Sequence, residues 1–309
     1  MIHVIDVQSR ATIQDLGRFG LRRFGISQCG AMDKLALRAG NILLGNAEDA
    51  PAIEVPLGGI TLQFQQDMNF CVTGAFYEMT LDDKPFFAYW RYQARAGQVL
   101  KMIRAKIGMY GYLCVQGGFI LPQELNSCST DLRAQIGGVE GRGLQVGDQL
   151  QTVNDPILRS EIGIAPIPLK HTIHALPSSE YQAFKRKSQY YWWRSKWTLQ
   201  SSSDRMGYRF QGQKLELKQP LEMLSHAIQF GSVQVPPSGQ PIILMADAQT
   251  TGGYPKIANV IDADLGALAQ VRLGSTIQFE AVSLEQAAKL RRKNEIYLDQ
   301  IRRIVDEKN

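Results

Sequence analysis

The sequence predicts a mainly β fold arranged as two tandem β-rich domains, with a few helices and a long helix near the carboxyl end. Three observations indicate this architecture. Short apolar runs with strand character alternate with glycine-rich polar turns along most of the 309 residues. Two short patterns each occur twice with similar offsets, and a proline-rich stretch lies between the copies. Regularly spaced short strands favour a barrel or a sandwich, and the repetition favours two copies of one unit.

The strand predictions rest on apolar, β-branched and aromatic runs that end at glycine or polar residues. The clearest runs are 60–64 (ITLQF), 69–73 (NFCVT), 98–103 (QVLKMI), 111–116 (GYLCVQ) and 242–245 (IILM). We expect each of them to form a separate strand.

Three helices are predicted from their end signals and their apolar spacing. The first begins after Asp33, a suitable N-cap, and runs to Leu44, with Gly45 as its stop. The second spans about 179–193, and the third spans 283–306.

The third helix has the clearest start signal. Ser283 and Gln286 are spaced as a capping box, in which each side chain bonds the backbone N–H of the other residue. An apolar stripe follows, which we expect to dock onto the protein body. The stripe consists of Ala287, Leu290, Tyr297, Ile301 and Ile304.

The internal repeat pairs 18–22 (RFGLR) with 205–209 (RMGYR), and 95–102 (RAGQVLKM) with 272–279 (RLGSTIQF). The order and the approximate spacing of the two patterns are kept, which favours a tandem duplication.

The domain boundary is predicted at 153–178, which contains four prolines. Proline cannot donate to a sheet ladder, so this stretch is expected to be an extended linker. The predicted domains are therefore 1–152 and 179–309, with the long helix in the second.

Composition and charge exclude several classes of function. The formal net charge of +5 is spread along the chain, which argues against nucleic-acid binding. No run of about 18 apolar residues is present, and the start of the chain has no signal-peptide pattern, so we expect a cytoplasmic protein without a membrane span. The four cysteines and four histidines are too scattered for a metal site, and none is predicted.

The densest polar segment follows the apolar run 242–245. Residues 247–256 read DAQTTGGYPK, which is more hydrogen-bonding capacity than a hairpin turn needs. Amide and hydroxyl side chains of Gln249, Thr250, Thr251 and Tyr254 suit a small polar, amide-like ligand, and Lys256 adds a positive charge. A long turn that caps its own backbone is the structural alternative.

The glycines of this segment, Gly252 and Gly253, allow positive φ and close backbone approach. Their N–H groups are therefore candidates for an anion or oxyanion nest. Asp247 is a candidate to orient an arginine or to activate water.

The repeated patterns place two arginines in each copy, Arg18 and Arg22 in the first and Arg205 and Arg209 in the second. Residues four apart in a strand share a face, so each pair is expected to point the same way and to grip a carboxylate or a phosphate. Structural ion pairing, for example with Asp15 or Asp204, is the alternative.

Two nucleotide and hydrolase signatures are missing from the sequence. The segment GGVEGRGL (137–144) lacks the lysine and hydroxyl pair of a phosphate loop, and no GxSxG nucleophile elbow occurs. We therefore expect the chain to depend on a partner for ATP chemistry, or to act as a binding module.

Long blocks of this sequence resemble the biotin-dependent carboxyltransferase/allophanate hydrolase subunit 2 family, which includes the KipA-like subunit of bacterial ATP-dependent 5-oxoprolinase and KipA-type antagonists of a kinase inhibitor. The resemblance covers roughly 5–280. The matching blocks are 11–33, 36–46, 72–75 (VTGA), 111–119 (GYLCVQGGF), 129–150, 203–212 (SDRMGYRFQG), 228–265 and 268–279.

The resemblance implies two cyclophilin-like β-barrel domains in tandem. It also implies a role in the ATP-driven opening of 5-oxo-L-proline to L-glutamate, inside a complex with two partners. One partner is expected to resemble KipI and allophanate hydrolase subunit 1, and the other a LamB/YcsF-type protein. ATP is expected to be bound by, or shared with, one of these partners. No biotin-attachment motif such as AMKM occurs, so biotin is not expected on this chain.

For such a substrate, we expect Gln249, Thr250 and Thr251 to bond the ring amide, and the two glycines to stabilise an oxyanion. Arg205 and Arg209 are expected to hold a carboxylate or a phosphate. Two alternatives stay open at this point. One is a urea-carboxylase-like carboxyltransferase component with a biotin carrier in trans. The other is a KipA-type regulatory module that binds a KipI-like protein.

Overall fold

The computed structural model describes residues 1–158 and 161–308, which form two compact units. The first unit contains Met1–Arg18, Cys29–Pro168 and the chain from Asn294 onward. The second contains Phe19–Gln28 and Leu169–Lys293. The main change of unit thus falls at Pro168, inside the predicted linker. Residues 19–28 belong to the second unit, whereas the predicted bounds place them in the first domain. The chain from Asn294 onward belongs to the first unit, whereas the predicted bounds place it in the second domain.

The first unit is built on one nine-stranded sheet. Its elements are β1 (Ile2–Val7), β2 (Thr12–Gln14), α1 (Lys34–Leu43), β3 (Ala52–Pro56), β4 (Ile60–Phe64), β5 (Met68–Leu81), β6 (Lys84–Pro85), β7 (Tyr92–Ala94), β8 (Val99–Val115) and β9 (Gln149–Leu150). Neighbouring strands run in the order β2-β3-β8-β4-β1-β9, and β5 pairs with β6, β7 and β8.

Strand β8 unites two of the predicted strands. The polar stretch at Arg104 and Lys106 predicted a break, but these exposed side chains simply alternate with the buried Ala105. Gly108, with φ of 83°, lies where the register with β5 is irregular. A bulge therefore absorbs the glycine without ending the strand, and the prediction of two strands was wrong.

Helix α1 matches its predicted ends. Asp33 Oδ1 accepts a hydrogen bond from the N–H of Ala36 at 3.1 Å, and Gly45 follows the helix with φ of 72°. The helix packs on β5 and β8, where a Cβ on Gly40 would come within 2.8 Å of Cys114 Sγ. A small residue is therefore required at position 40.

The second unit contains two short 3-10 helices, Arg22–Phe24 and Tyr181–Ala183. Its other elements are β10 (Thr172–Pro177), α2 (Arg186–Arg194), β11 (Trp197–Leu199), β12 (Gly207–Gln211), β13 (His226–Ala227), β14 (Ser232–Gln234), β15 (Ile242–Leu244), β16 (Thr251–Gly252), β17 (Lys256–Val260), α3 (Asp262–Ala269) and β18 (Thr276–Ala281). Seven of the strands form a closed barrel of order β10-β17-β14-β15-β12-β11-β18, which confirms the barrel prediction here.

Parallel pairing of β10 with β18 closes this barrel, and an aromatic cluster fills its core. Trp192 stacks on Phe279 with ring centroids 4.1 Å apart, and both rings are almost fully buried. Helix α3 was not predicted, because its sequence DADLGALA contains a glycine and has no polar face to give a helical period.

The last helix, α4 (Leu284–Lys308), begins as predicted. Ser283 N–H donates to Gln286 Oε1 at 2.7 Å, and Gln286 N–H donates to Ser283 Oγ at 3.2 Å, so the capping box forms. The buried residues are Leu298, Ile301 and Val305, whereas Ile304 is 38% exposed. The predicted stripe was therefore correct at Ile301 and displaced by one residue at its end.

One of the two repeated patterns has the same conformation in both copies. Gly97 and Gly274 have φ of 89° and 82°, and each lies in a tight turn just before β8 or β18. The arginine pattern does not repeat: Arg205 precedes strand β12, whereas 18–22 is not a strand and Arg22 begins a 3-10 helix. The prediction that both arginine pairs share a strand face was wrong. Arg18 and Arg22 lie in different units.

Across residues 1–158 and 161–308, no helix has the length and apolarity needed to cross a membrane. The same part of the chain holds no group of three or more His, Cys, Asp or Glu side chains arranged to bind a metal ion.

Candidate functional site

The polar segment 247–256 lies on the second unit and is held by a two-stranded ribbon. Strand β16 pairs with β13, with His226 opposite Gly252 and Ala227 opposite Thr251. The N–H of Ile228 donates to Thr250 O at 3.1 Å. Beneath this ribbon, Ile228, Leu244 and Ala248 form a buried apolar cluster. The backbone of Thr250 and Thr251 is thus committed to the ribbon, while the Thr251 side chain is exposed.

Beside this segment lies a cavity of about 580 Å³, within the size range of small-molecule sites. Three predicted site residues, Arg209, Gln249 and Tyr254, line it. The rest of the lining is Asp204, Met206, Gly207, Gln234, Pro236, Ser238, Ile242 and Leu244. The cavity therefore combines one guanidinium, one carboxylate, two carboxamides and two hydroxyls with several apolar side chains.

Arg205 and Asp247 form a forked ion pair. Arg205 Nε and Nη2 lie 2.8 and 2.7 Å from the two carboxylate oxygens of Asp247, and both side chains are 14% exposed. The N–H of Asp247 also donates to Arg205 O at 2.9 Å. Asp247 thus orients Arg205, as one of its two predicted roles proposes. The pair holds the residue before β12 against the polar segment. It also engages the Nε and Nη2 groups of Arg205, which were expected to bind a ligand.

Arg209 is the cationic side chain that remains available at the cavity. It is exposed, and it also lines an adjoining cavity of about 310 Å³. Among the described residues, no carboxylate forms an ion pair with it. Asp204 lines the same cavity, but its Oδ1 accepts from the N–H groups of Met206 and Gly207 at 2.9 and 3.1 Å.

Lys256 is only 8% exposed, because it is paired inside the second unit. Its Nζ lies 3.0 Å from Glu180 Oε2 and contacts His226 Nε2. His226 Nδ1 lies 3.2 Å from Leu224 O, so the ring is held between that carbonyl and Lys256. Burial raises the pKa of Glu180, but hydrogen bonds from Ser179 and Lys256 and the Lys256 charge outweigh it and hold that pKa below its ordinary value.

Gly252 and Gly253 have no positive φ, which a nest of alternating backbone conformations requires. Gly252 instead provides space. A Cβ there would meet Gln234 Nε2 at 2.5 Å and Ile228 Cδ1 at 3.0 Å. Stabilisation of an oxyanion by these N–H groups stays a prediction.

The two amino-terminal arginines have separate surroundings. Arg22 donates to the backbone oxygens of Ile228 and, at 3.3 Å, Gln249, so it braces the polar segment from within the second unit. Burial lowers its pKa. Arg18 is 1% exposed in the first unit, where it donates to Ser129 O at 2.5 Å and Glu124 O at 3.2 Å.

Sequence reasoning missed Gln234, a cavity residue that is 3% exposed. The available signal was a carboxamide at the end of the short apolar run before Pro236, which had no partner to indicate its role.

Comparison with known proteins identifies the family. Residues 24–281 match the family described as "Carboxyltransferase domain, subdomain A and B". The chain belongs to this carboxyltransferase family. It is 90% identical to a Haemophilus influenzae protein named as a 5-oxoprolinase subunit, over 309 residues that make up 100% of both chains. It is 47% identical to the Escherichia coli protein of the same name, with 97% of each chain covered.

The family also contains parts of much longer proteins. The crystal structure of the Kluyveromyces lactis urea amidolyase superposes with a TM-score of 0.90 at 26% identity. That match covers 97% of this chain but only 20% of the amidolyase.

Proposed function

We propose that this protein is a subunit of an ATP-dependent 5-oxoprolinase, which opens 5-oxo-L-proline to L-glutamate with hydrolysis of ATP. The observation that carries the proposal is the 90% identity, over the full length of both chains, to a protein named as a 5-oxoprolinase subunit. The four cysteines are buried thiols, which fits a reducing cytoplasmic location that we also propose.

The cavity of the second unit supports a substrate of this kind. 5-Oxoproline is a small cyclic amide with one carboxylate. Arg209 offers a guanidinium that suits the carboxylate, and the amide and hydroxyl groups of Gln249 and Tyr254 suit the lactam. The substrate roles of Thr250, Thr251 and Gly253 remain part of the proposal.

A partner protein is proposed to bind ATP. A five-membered lactam is a stable amide, and transfer of a phosphoryl group to its carbonyl oxygen would turn that oxygen into a leaving group. Arg205 and Lys256 are paired with Asp247 and Glu180, which leaves these two cations poorly placed to hold a triphosphate. Two partners are proposed, a KipI/allophanate hydrolase subunit 1-like protein and a LamB/YcsF-like protein, and the chain alone is expected to be inactive.

Reconstitution tests the proposal. ATP hydrolysis is measured with this chain and both partners, with each protein omitted in turn, and with 5-oxoproline, urea or no substrate. We expect hydrolysis that requires 5-oxoproline and all three proteins. Hydrolysis at the same rate without this chain would contradict the proposal.

A second candidate function is a urea-carboxylase-like carboxyltransferase component, favoured by the superposition on the urea amidolyase. It would need a biotin carrier in trans and would respond to urea in the same assay. A KipA-type regulatory role would instead give a stable complex with the KipI-like protein and no turnover with either substrate.

A further inference from the structure

Gln234 is a buried amide whose donor has no partner. It is the last residue of β14 and is 3% exposed, and its Nε2 finds no hydrogen-bond acceptor among the described residues. The side chain nevertheless lines the 580 Å³ cavity. A buried N–H without an acceptor is unfavourable, and a ligand that supplies an acceptor there gains a bond without breaking one inside the protein.

Gly252 keeps the space that this amide occupies. Any Cβ at position 252 would come within 2.5 Å of Gln234 Nε2. The backbone of Gly252 has no positive φ, so its conformation alone does not demand glycine. The absence of a side chain at position 252 therefore leaves room for the Gln234 amide. This role differs from that of the N–H donor that was expected of Gly252.

Three residues that line the cavity lie side by side on neighbouring strands. Arg209 on β12 is the register partner of Ile242 on β15, and Ile242 is the register partner of Gln234 on β14. Register partners project from the same face of a sheet. The alternate residues Tyr208, Ile243 and Val233 are fully buried, so this face is the outer one of the barrel.

This row has a defined chemistry. The guanidinium and the amide belong to strands two spacings apart, which is about 10 Å between their Cα atoms, with the apolar Ile242 between them. A matching ligand has a carboxylate at one end, an apolar middle and a carbonyl oxygen at the other end. In 5-oxoproline the two ring carbons bonded to the nitrogen carry the carboxylate and the lactam oxygen, and two methylene groups join those carbons along the rest of the ring.

We propose that Gln234 is a substrate-binding residue that donates its Nε2–H to the lactam oxygen, while Arg209 binds the carboxylate and Ile242 contacts the ring methylenes. The inference rests on the proposed function and defines the class of substrate of that site: a small lactam with a carboxylate on the carbon next to the ring nitrogen. Urea, which has neither the carboxylate nor the methylenes, matches only the Gln234 end of the row.

Two ligands separate the two ends of the row. L-5-Oxoproline has both groups, and 2-pyrrolidinone has the lactam without the carboxylate. Binding of each to the purified chain is measured by ligand-observed NMR, and competition by each is measured in the reconstituted complex. We expect Gln234→Leu to weaken both ligands by about 5- to 10-fold, the value of one neutral hydrogen bond. Arg209→Met is expected to weaken 5-oxoproline by about 10-fold or more and to leave 2-pyrrolidinone unchanged.

Two further variants control the comparison. Gly252→Ala displaces the amide without removing it and is expected to weaken both ligands, as Gln234→Leu does. Gln213→Leu makes the same exchange at an exposed glutamine outside the cavity lining and is expected to change neither ligand. Because Gln234 lacks a partner for Nε2, we expect Gln234→Leu to keep the thermal midpoint of the wild-type protein.

The outcomes distinguish this inference from the proposed function. Equal binding by Gln234→Leu and Gln213→Leu, or no binding of 5-oxoproline to the wild-type chain, would overturn the inference even if the complex hydrolyses 5-oxoproline. A complex that never hydrolyses ATP in response to 5-oxoproline would instead overturn the proposed function.

Discussion

The ion pair between Arg205 and Asp247 makes a quantitative prediction for stability. Both side chains are 14% exposed, and two bonds of 2.7 and 2.8 Å join the guanidinium to both carboxylate oxygens. Removal of one partner strands the other charge, which costs about 3–5 kcal/mol when burial is complete. Because both side chains keep some exposure, Arg205→Met and Asp247→Leu should each cost an amount near the lower end of this range. Each variant is therefore expected to reduce the free energy of unfolding by about 3 kcal/mol. The double variant removes both charges of this pair and is expected to change the free energy of unfolding by less than about 1 kcal/mol.

Urea unfolding followed by tryptophan fluorescence measures this effect in the right part of the chain. Trp192, Trp193 and Trp197 belong to the second unit, and they are three of the four tryptophans in the sequence. An exposed pair, Lys185 with Glu216, is the matched control, and its single variants are expected to lose much less stability than those of the Arg205 pair. A double variant of Arg205 and Asp247 that loses the sum of the two single losses would refute the reasoning.

Three other predictions follow from single contacts. Glu180→Gln tests the pH dependence of stability. Because the folded-state pKa of Glu180 lies below its ordinary value of 4.5, the carboxylate stabilises the folded protein above that pH, and this stabilisation is lost as the pH falls. Wild-type stability should therefore fall more steeply than that of Glu180→Gln below about pH 4.5, and parallel urea midpoints from pH 7 to 3 would contradict this. Gly40→Ala places a Cβ 2.8 Å from Cys114 Sγ and should destabilise the first unit by about 1–3 kcal/mol in thermal unfolding. Gly143→Ala is the matched control, because its Cβ would meet only Ala11 O at 3.5 Å, an ordinary contact. Ser283→Ala removes the N-cap oxygen of α4 and should lower stability by about 1 kcal/mol, with faster amide exchange at Gln286; unchanged exchange there would count against the capping box.

The parts of the fold that depend on local chemistry were predictable from the sequence. Asp33 and Gly45 mark the ends of α1, and Ser283 with Gln286 marks the start of α4, because capping involves residues only a few positions apart. The spacing of short strands indicated a barrel or a sandwich, and the family resemblance favoured the barrel that the second unit forms. The long β8 did not, because a bulge at Gly108 let one strand continue through a stretch that resembles a turn.

The candidate site was predictable in place but less so in detail. The position of Gln249 and Tyr254 at a cavity agrees with the polar composition of their segment. The state of Lys256 was invisible, because its partner Glu180 is 76 residues away in the chain. Gln234 was missed for a related reason: a donor without an acceptor is a property of the folded surroundings, and no neighbour in the sequence reveals it.

The most direct test of the proposed function is the formation of both products, L-glutamate and inorganic phosphate, by the reconstituted complex. L-Glutamate and inorganic phosphate are measured together after 5-oxoproline is added to this chain and its two proposed partners. We expect both products to appear only when this chain is present, and Arg209→Met to reduce both in the same proportion at limiting 5-oxoproline. Glutamate formation at the full rate without this chain would contradict the proposed function.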